Sequence, residues 1–153
     1  VEYALRVTAC LALQSDGGKV SSSDLAEQTG VPRAYLSKVL RRMVSAELLK
    51  AEKGHGGGFT LARASTKIRL YDVVEIFVAD RLPRRCVFGL EVCSNVNPCV
   101  LHFRWEQLRL SFEQWAKSTT LADISKDVLS AKDPSPHLRK WKAIQVLQPK
   151  KRQ

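Results

Sequence analysis

The chain has 153 residues, 44% of them apolar, with 25 Lys and Arg against 15 Asp and Glu for a net charge of +10. That length allows one buried core with an appendage, and no apolar run approaches the roughly 18–20 residues a membrane-spanning helix needs. Four cysteines are too few for a disulfide scaffold, and the basic balance points to an anionic partner, nucleic acid ahead of a membrane surface.

Residues 2–14 read as a helix, with Tyr3, Ala4, Val7, Cys10 and Leu11 forming an apolar face at spacings of three and four. Cys10 is expected in the core. After a Gly-rich break, Ser21 and Asp24 have the form of a capping box that starts a helix over 22–29, with Leu25 and Ala26 inward. Gly30 suits the left-handed position that closes a helix, Val31 plugs the turn, and Pro32 suits the first position of a third helix. That helix runs to about Ala46 on a buried stripe of Leu36, Val39, Leu40 and Met43. Arg33, Ala34, Tyr35, Ser37, Lys38, Arg41 and Arg42 lie largely off the stripe, and all of them but Arg42 become candidate DNA contacts. A short helix, a Gly turn and a helix with a basic outer face make a helix-turn-helix pattern.

Two strands, 47–53 and 59–63, then flank Gly54-His55-Gly56-Gly57-Gly58. This reads as a wing, in which Lys53, Gly56 and Gly57 let backbone and charge approach a phosphate or a narrow groove. A plain flexible hairpin is the competing reading. Ile68–Phe77 reads as a fourth helix, and 80–98 as a loop that carries Cys86 and Cys93.

The spacing Cys86-x6-Cys93-x5-Cys99-x2-His102 gathers three thiols and an imidazole in one short stretch. Cys99 and His102 are expected to open a long helix, where residues three apart share a face and can converge on one metal centre. Free thiols or a disulfide remain the alternatives. Along that helix Leu101, Trp105, Leu108, Phe112 and Trp115 follow a 4-3-4-3 seam, and Val100, Phe103 and Leu110 add a second strip. Two apolar strips call for two partners, one of them a second copy of the chain, unless both pack within the monomer. Leu121–Leu129 reads as a further short helix. The tail 131–153 contains Pro134, Pro136 and Pro149, carries Lys150-Lys151-Arg152 just before Gln153, and reads as mostly disordered with a short helix near Leu138–Leu147. Its lysines are candidates for sequence-independent phosphate contact. The expected fold is mainly α with a small β-wing. It comprises a winged helix-turn-helix domain (1–80), a cysteine loop (81–99), dimerisation helices (99–130) and a basic tail (131–153).

This order resembles the IscR/NsrR-type family of bacterial winged-helix regulators over roughly residues 2–129. The likeness rests on Glu2-Tyr3-Ala4-Leu5-Arg6, on Val31-Pro32-Arg33-Ala34-Tyr35-Leu36, on Lys53-Gly54-His55-Gly56-Gly57-Gly58-Phe59 and on the three cysteines. It implies homodimers joined through the long helix, an iron–sulfur cluster near the dimer interface, and transcriptional control through cluster state. In IscR-like members three Cys and one His hold a [2Fe–2S] cluster, and Cys99, His102 and Trp105 match that Cys-x2-His-x2-Trp pattern. In NsrR-like members three Cys hold a [4Fe–4S] cluster with a carboxylate from the partner's first helix, here at the position of Glu2. The resemblance favours [2Fe–2S] with Cys86, Cys93, Cys99 and His102, and Glu2 as the alternative fourth ligand. Two departures stand out: the first cysteine gap is six residues where five is usual, and His55 replaces a common Pro.

The chain shows no Ser-His-Asp grouping, no P-loop and no paired carboxylates in a credible site, which argues against catalysis. The expected function is a cytoplasmic bacterial transcriptional regulator, with repression as the expected action. Its cluster would sense redox state, nitric oxide or iron–sulfur status. Two alternatives stand beside it: the same winged-helix protein with structural zinc, and a cluster-carrying electron-transfer or redox subunit.

Overall fold

The computed structural model describes residues 1–14, 18–54, 56–78, 86–91 and 93–130. His55 and the basic tail, with its expected helix near Leu138–Leu147, lie outside the described residues. The elements follow in the order α1 (Glu2–Ala12), α2 (Ser22–Thr29), α3 (Arg33–Ser45), β1 (Leu49–Glu52), β2 (Gly58–Leu61), α4 (Leu70–Val78), α5 (His102–Ser118) and α6 (Leu121–Ser130). A 3-10 turn, Ser65–Lys67, precedes α4. No helix among the described residues is long and apolar enough to cross a membrane.

The apolar face of α1 is the hub. It packs on α2, α3, α4, α6 and β2. Ala4, Val7, Cys10 and Leu11 join Leu25, Leu36, Leu40, Met43 and Val73 in one cluster. Cys10 is fully enclosed, its sulfur 3.0 Å from Gln28 Oε1, and burial pushes its thiol up to about 12. It is a core residue, as its place on the helix face requires.

The helix-turn-helix forms where local chemistry predicts. Ser21 Oγ accepts the Asp24 backbone N–H at 3.1 Å, a cap that contributes about 1 kcal/mol. Gly30 closes α2 at φ 67°, and Val31 is buried behind it. Pro32 stands one place earlier than expected, just before the first helical residue, where its carbonyl accepts the Tyr35 and Leu36 N–H groups at 2.9 and 3.0 Å.

The wing strands are shorter than the sequence predicts. Glu47 sits at φ 55°, and the Leu48 N–H returns to the Met43 carbonyl at 3.0 Å. This left-handed helix ending delays β1 until Leu49. The strands pair antiparallel, Leu49 opposite Leu61 and Glu52 opposite Gly58. Val20 adds a bridge on the other side of β2, exchanging both backbone bonds with Phe59 at 2.9 and 3.1 Å. That pairing crowds Gly58: a Cβ there would lie 2.7 Å from the Val20 carbonyl oxygen. Gly58→Ala is therefore expected to lower unfolding free energy by about 1–3 kcal/mol, measured by denaturant melts. An unchanged midpoint would mean that Val20 moves away without loss.

The fourth helix begins at Leu70 and not at Ile68, because Ile68 is extended and its carbonyl accepts the Leu121 N–H at 2.9 Å. The Leu70 N–H in turn donates to the Thr119 carbonyl at 2.9 Å. These two bonds lay α6 back over α1, where Val128 and Ile124 pack on Ala9 and Leu13. Helix α5 spans the gap and touches α4 through Ala116, which joins Leu70 and Val74.

Helix α5 is otherwise poorly covered. Ala116 is its only fully buried residue. The side nearer the rest of the chain carries charge: Arg109 lies 3.6 Å from both Glu106 and Glu113, and Glu113 pairs with Lys117 at 2.5 Å. Lys117 sits 4.8 Å over the Tyr71 ring. The apolar strips face outward. Phe103, Leu108 and Trp115 are 63%, 62% and 53% exposed. Val100, Leu101, Leu110 and Phe112 are also exposed, and Trp105 is half-buried. Neither strip is buried within the single chain.

Candidate metal centre and DNA-reading surface

The cysteine segment folds so that three thiols meet. The Sγ atoms of Cys86, Cys93 and Cys99 all lie within 4.8 Å of one another, and Cys86 and Cys99 approach to 3.5 Å. All four cysteines of the chain are free. A turn over 94–97 makes the approach, closed by Ser94 N–H to the Asn97 carbonyl and Asn97 N–H to Ser94 Oγ, both 3.2 Å. Cys99 does not open the helix as expected. It lies three residues before α5, with its carbonyl accepting the His102 N–H at 3.0 Å. The short turn between them, and not a shared helical face, sets the two ligand candidates.

The three sulfurs are chemically unequal. Partial desolvation disfavours the Cys86 thiolate, but hydrogen bonds from the Phe88 backbone, Cys99, the Leu90 backbone and Cys93 outweigh it and lower its pKa. At Cys93 a bond from the Cys99 backbone favours the thiolate. Desolvation, both neighbouring sulfurs and the Cys86 charge outweigh that bond and raise the pKa. Three thiolates this close repel one another and ionise together only with a cation between them. The positive end of the α5 dipole beside Cys99 favours the same anionic state. The donor set therefore fits a thiophilic metal or cluster.

His102 stands next to this group. Its Nδ1 lies 3.2 Å from Cys93 Sγ, and its Nε2 lies 2.6 Å from Asn95 Oδ1. Glu2 is elsewhere in the single chain, exposed and paired with Arg6 at 2.5 Å. Asn95 carries no motif, and sequence reading passed over it.

The second candidate surface is the outer side of α3. Arg33, Ala34, Tyr35, Ser37, Lys38 and Arg41 are all exposed. Arg33 Nη2 donates to Ser23 Oγ at 3.0 Å, which steadies the guanidinium at the mouth of the helix-turn-helix. The Tyr35 ring sits 6.0 Å from that of Tyr3 on α1. Arg42 lies 5.1 Å over Phe77 and so serves the α3–α4 contact. In the wing, Lys53, Gly54 and Gly56 are exposed, the two glycines at φ 100° and 77°. Gly57 is half-buried, and a Cβ on it would collide with the Glu52 carbonyl. Its missing side chain is required inside the hairpin.

A family model described as "Rrf2: Iron-dependent Transcriptional regulator" matches residues 1–127. The chain belongs to the Rrf2 family. An HTH-type transcriptional regulator of Aquifex aeolicus is 33% identical over 126 residues, covering 81% of this chain and 87% of its own. The HTH-type transcriptional regulator IscR of Sodalis glossinidius is 29% identical over 122 residues, covering 80% and 73%. Among solved structures, T. potens IscR superposes with TM-score 0.67 at 27% identity, covering 90% of each chain. CymR, the global cysteine regulator of B. subtilis, superposes with TM-score 0.66 at 23% identity, covering 81% and 91%, a likeness of fold alone. The fold is thus the winged helix of Rrf2 regulators, and this Rrf2 protein is a DNA-binding transcriptional regulator and not an enzyme.

Proposed function

We propose that this Rrf2 regulator reads an operator as a homodimer and that a metal centre on Cys86, Cys93, Cys99 and His102 governs its affinity. Repression is the expected action, and redox state, nitric oxide or iron–sulfur status the expected signal. The observation that carries the reading is the convergence of three sulfurs within 4.8 Å directly ahead of the exposed helix α5. An iron–sulfur cluster would supply a centre whose charge and integrity respond to oxidants and whose non-thiolate corner is labile. The chain's own part is to tie the 86–99 loop to the start of α5. The angle between two recognition helices then depends on how that loop is held, and both half-sites must be met at once. His102 is favoured as fourth ligand because it already touches Cys93, and [2Fe–2S] is favoured over [4Fe–4S]. Glu2 of the partner subunit is the alternative fourth ligand, on a cluster of either type.

A second reading draws on one specific distance. Thiolates on one tetrahedral zinc ion stand about 3.8 Å apart, given Zn–S bonds of about 2.3 Å, and Cys86 and Cys99 stand at 3.5 Å. Structural zinc on the same ligands fits that spacing. Anaerobic preparation separates the two: a coloured protein with iron and sulfide supports the cluster, and a colourless one with stoichiometric zinc overturns it.

On α3, Arg33 and Tyr35 are proposed to reach base edges, with Ala34, Ser37 and Lys38 beside them. Arg41, Lys53 and the wing glycines Gly56 and Gly57 would lie against the backbone. Arg33→Ala is expected to relax preference at one operator position by about 1–3 kcal/mol. Lys53→Ala should weaken binding to all sequences alike and flatten the salt dependence. Binding selection on random DNA at fixed salt checks both. Recovery of the wild-type motif with Arg33→Ala would remove Arg33 from base reading.

A further inference from the structure

The half-buried imidazole of His102 lies between two different partners. Its Nδ1 faces Cys93 Sγ at 3.2 Å and its Nε2 faces Asn95 Oδ1 at 2.6 Å. A neutral imidazole carries one N–H and one lone pair, and the group on the far nitrogen decides which is which. An amide oxygen at 2.6 Å accepts and does not donate, so it holds the proton on Nε2. The Nδ1 lone pair then points at the sulfur cluster of the chain. Metal-binding histidines depend on such a second partner, usually a carboxylate, a backbone carbonyl or water. Here a side-chain amide occupies that place.

Asn95 is itself held. It sits in the turn over 94–97, whose ends are joined by the two Ser94–Asn97 hydrogen bonds of 3.2 Å. The same turn connects Cys93 to Cys99, so one short stretch of backbone sets two thiols and the acceptor for the histidine. Phe103 adds an edge contact to the ring, with centroids 5.2 Å apart. The imidazole is thus fixed at its sulfur side, at its far nitrogen and along one edge.

We infer that Asn95 is a positioning residue for His102: by accepting from Nε2–H it fixes the tautomer in which Nδ1 is the metal-donor atom. The inference rests on the reading of His102 as the fourth ligand, but its first test needs no metal.

In the metal-free full chain, two-bond nitrogen–proton NMR correlations at a pH above the imidazole range read the tautomer. The His102 signals are assigned by their loss in His102→Ala. The wild type should show the Nε2–H form. Asn95→Asp, which keeps an acceptor, should retain it, and Asn95→Leu, which removes the acceptor at similar size, should shift His102 toward a mixture of forms. An Nδ1–H tautomer in the wild type, or one unmoved by Asn95→Leu, overturns the assignment of Asn95.

The second arm uses reconstituted protein, reduced and carrying histidine labelled with nitrogen-15 at Nδ1 alone. Pulsed EPR should detect coupling to Nδ1 in the wild type and in Asn95→Asp. Weaker coupling and faster loss of iron to a chelator should appear in Asn95→Leu. Coupling and loss rate equal to wild type in Asn95→Leu would overturn the positioning role. Iron and sulfide without any nitrogen coupling in the wild type would instead sink His102 as ligand, and the NMR arm would still report on Asn95 by itself.

Discussion

Leu108→Asp is expected to convert the proposed homodimer to monomer while leaving the single chain folded. Leu108 is 62% exposed in the isolated chain and lies on the outward strip of α5 with Phe112 and Trp115. A carboxylate there meets water when the chain is alone, so the cost to monomer stability is within about 0.5 kcal/mol. In a dimer seam the same carboxylate is desolvated without a partner, at a cost of about 2–5 kcal/mol. A homodimer carries two such carboxylates, so the dissociation constant should rise by at least roughly 30-fold. Sedimentation at micromolar concentration checks the association, and a denaturant melt checks the fold. A dimer unchanged by the substitution would place the association surface off α5.

The second large effect is at the thiols. Cys86→Ala, Cys93→Ala and Cys99→Ala are each expected to abolish visible charge-transfer absorbance and iron binding, since each removes one of only three mutually adjacent sulfurs. Cys10→Ala is the internal control. Cys10 is enclosed in the α1 core, outside the group of three sulfurs, and burial pushes its thiol up to about 12, which disfavours the thiolate. Its replacement should lower stability and leave the colour intact. Metal retained at full stoichiometry in any of the three loop variants would contradict the assignment of that ligand.

The parts of the fold that were legible in the sequence are those set by local chemistry. Ser21, Gly30 and the Leu36–Leu40–Met43 stripe each act within one or two turns, and α2 and α3 formed as they require. The wing was legible in kind but not in length, because the left-handed backbone at Glu47 arises at a residue with no preference for it. The need for glycine at 57 and 58 was also hidden. It comes from the Glu52 and Val20 carbonyls, one across the hairpin and one from a distant bridge.

The candidate site divides in the same way. Three cysteines and a histidine are visible as residue types with suggestive spacing, and the chain does bring the sulfurs together. Helical periodicity misplaced the reason: Cys99 and His102 are related by the turn leading into α5. Asn95 was illegible because its contact with His102 crosses that loop, and an asparagine between two cysteines reads only as a turn former. The openness of both α5 strips needed the coordinates, since periodicity alone does not say which apolar face the monomer covers.

The central claim is that the state of the Cys86–Cys93–Cys99 centre sets DNA affinity. It is tested by titrating one selected operator duplex with anaerobic protein of counted iron and sulfide, then with the same protein after the metal is removed, at one fixed salt concentration. The account predicts dissociation constants that differ at least about tenfold, or about 1.4 kcal/mol, and that the three Cys→Ala variants match the metal-free value. Equal affinity in both states would contradict it and leave the thiol group without a part in DNA binding.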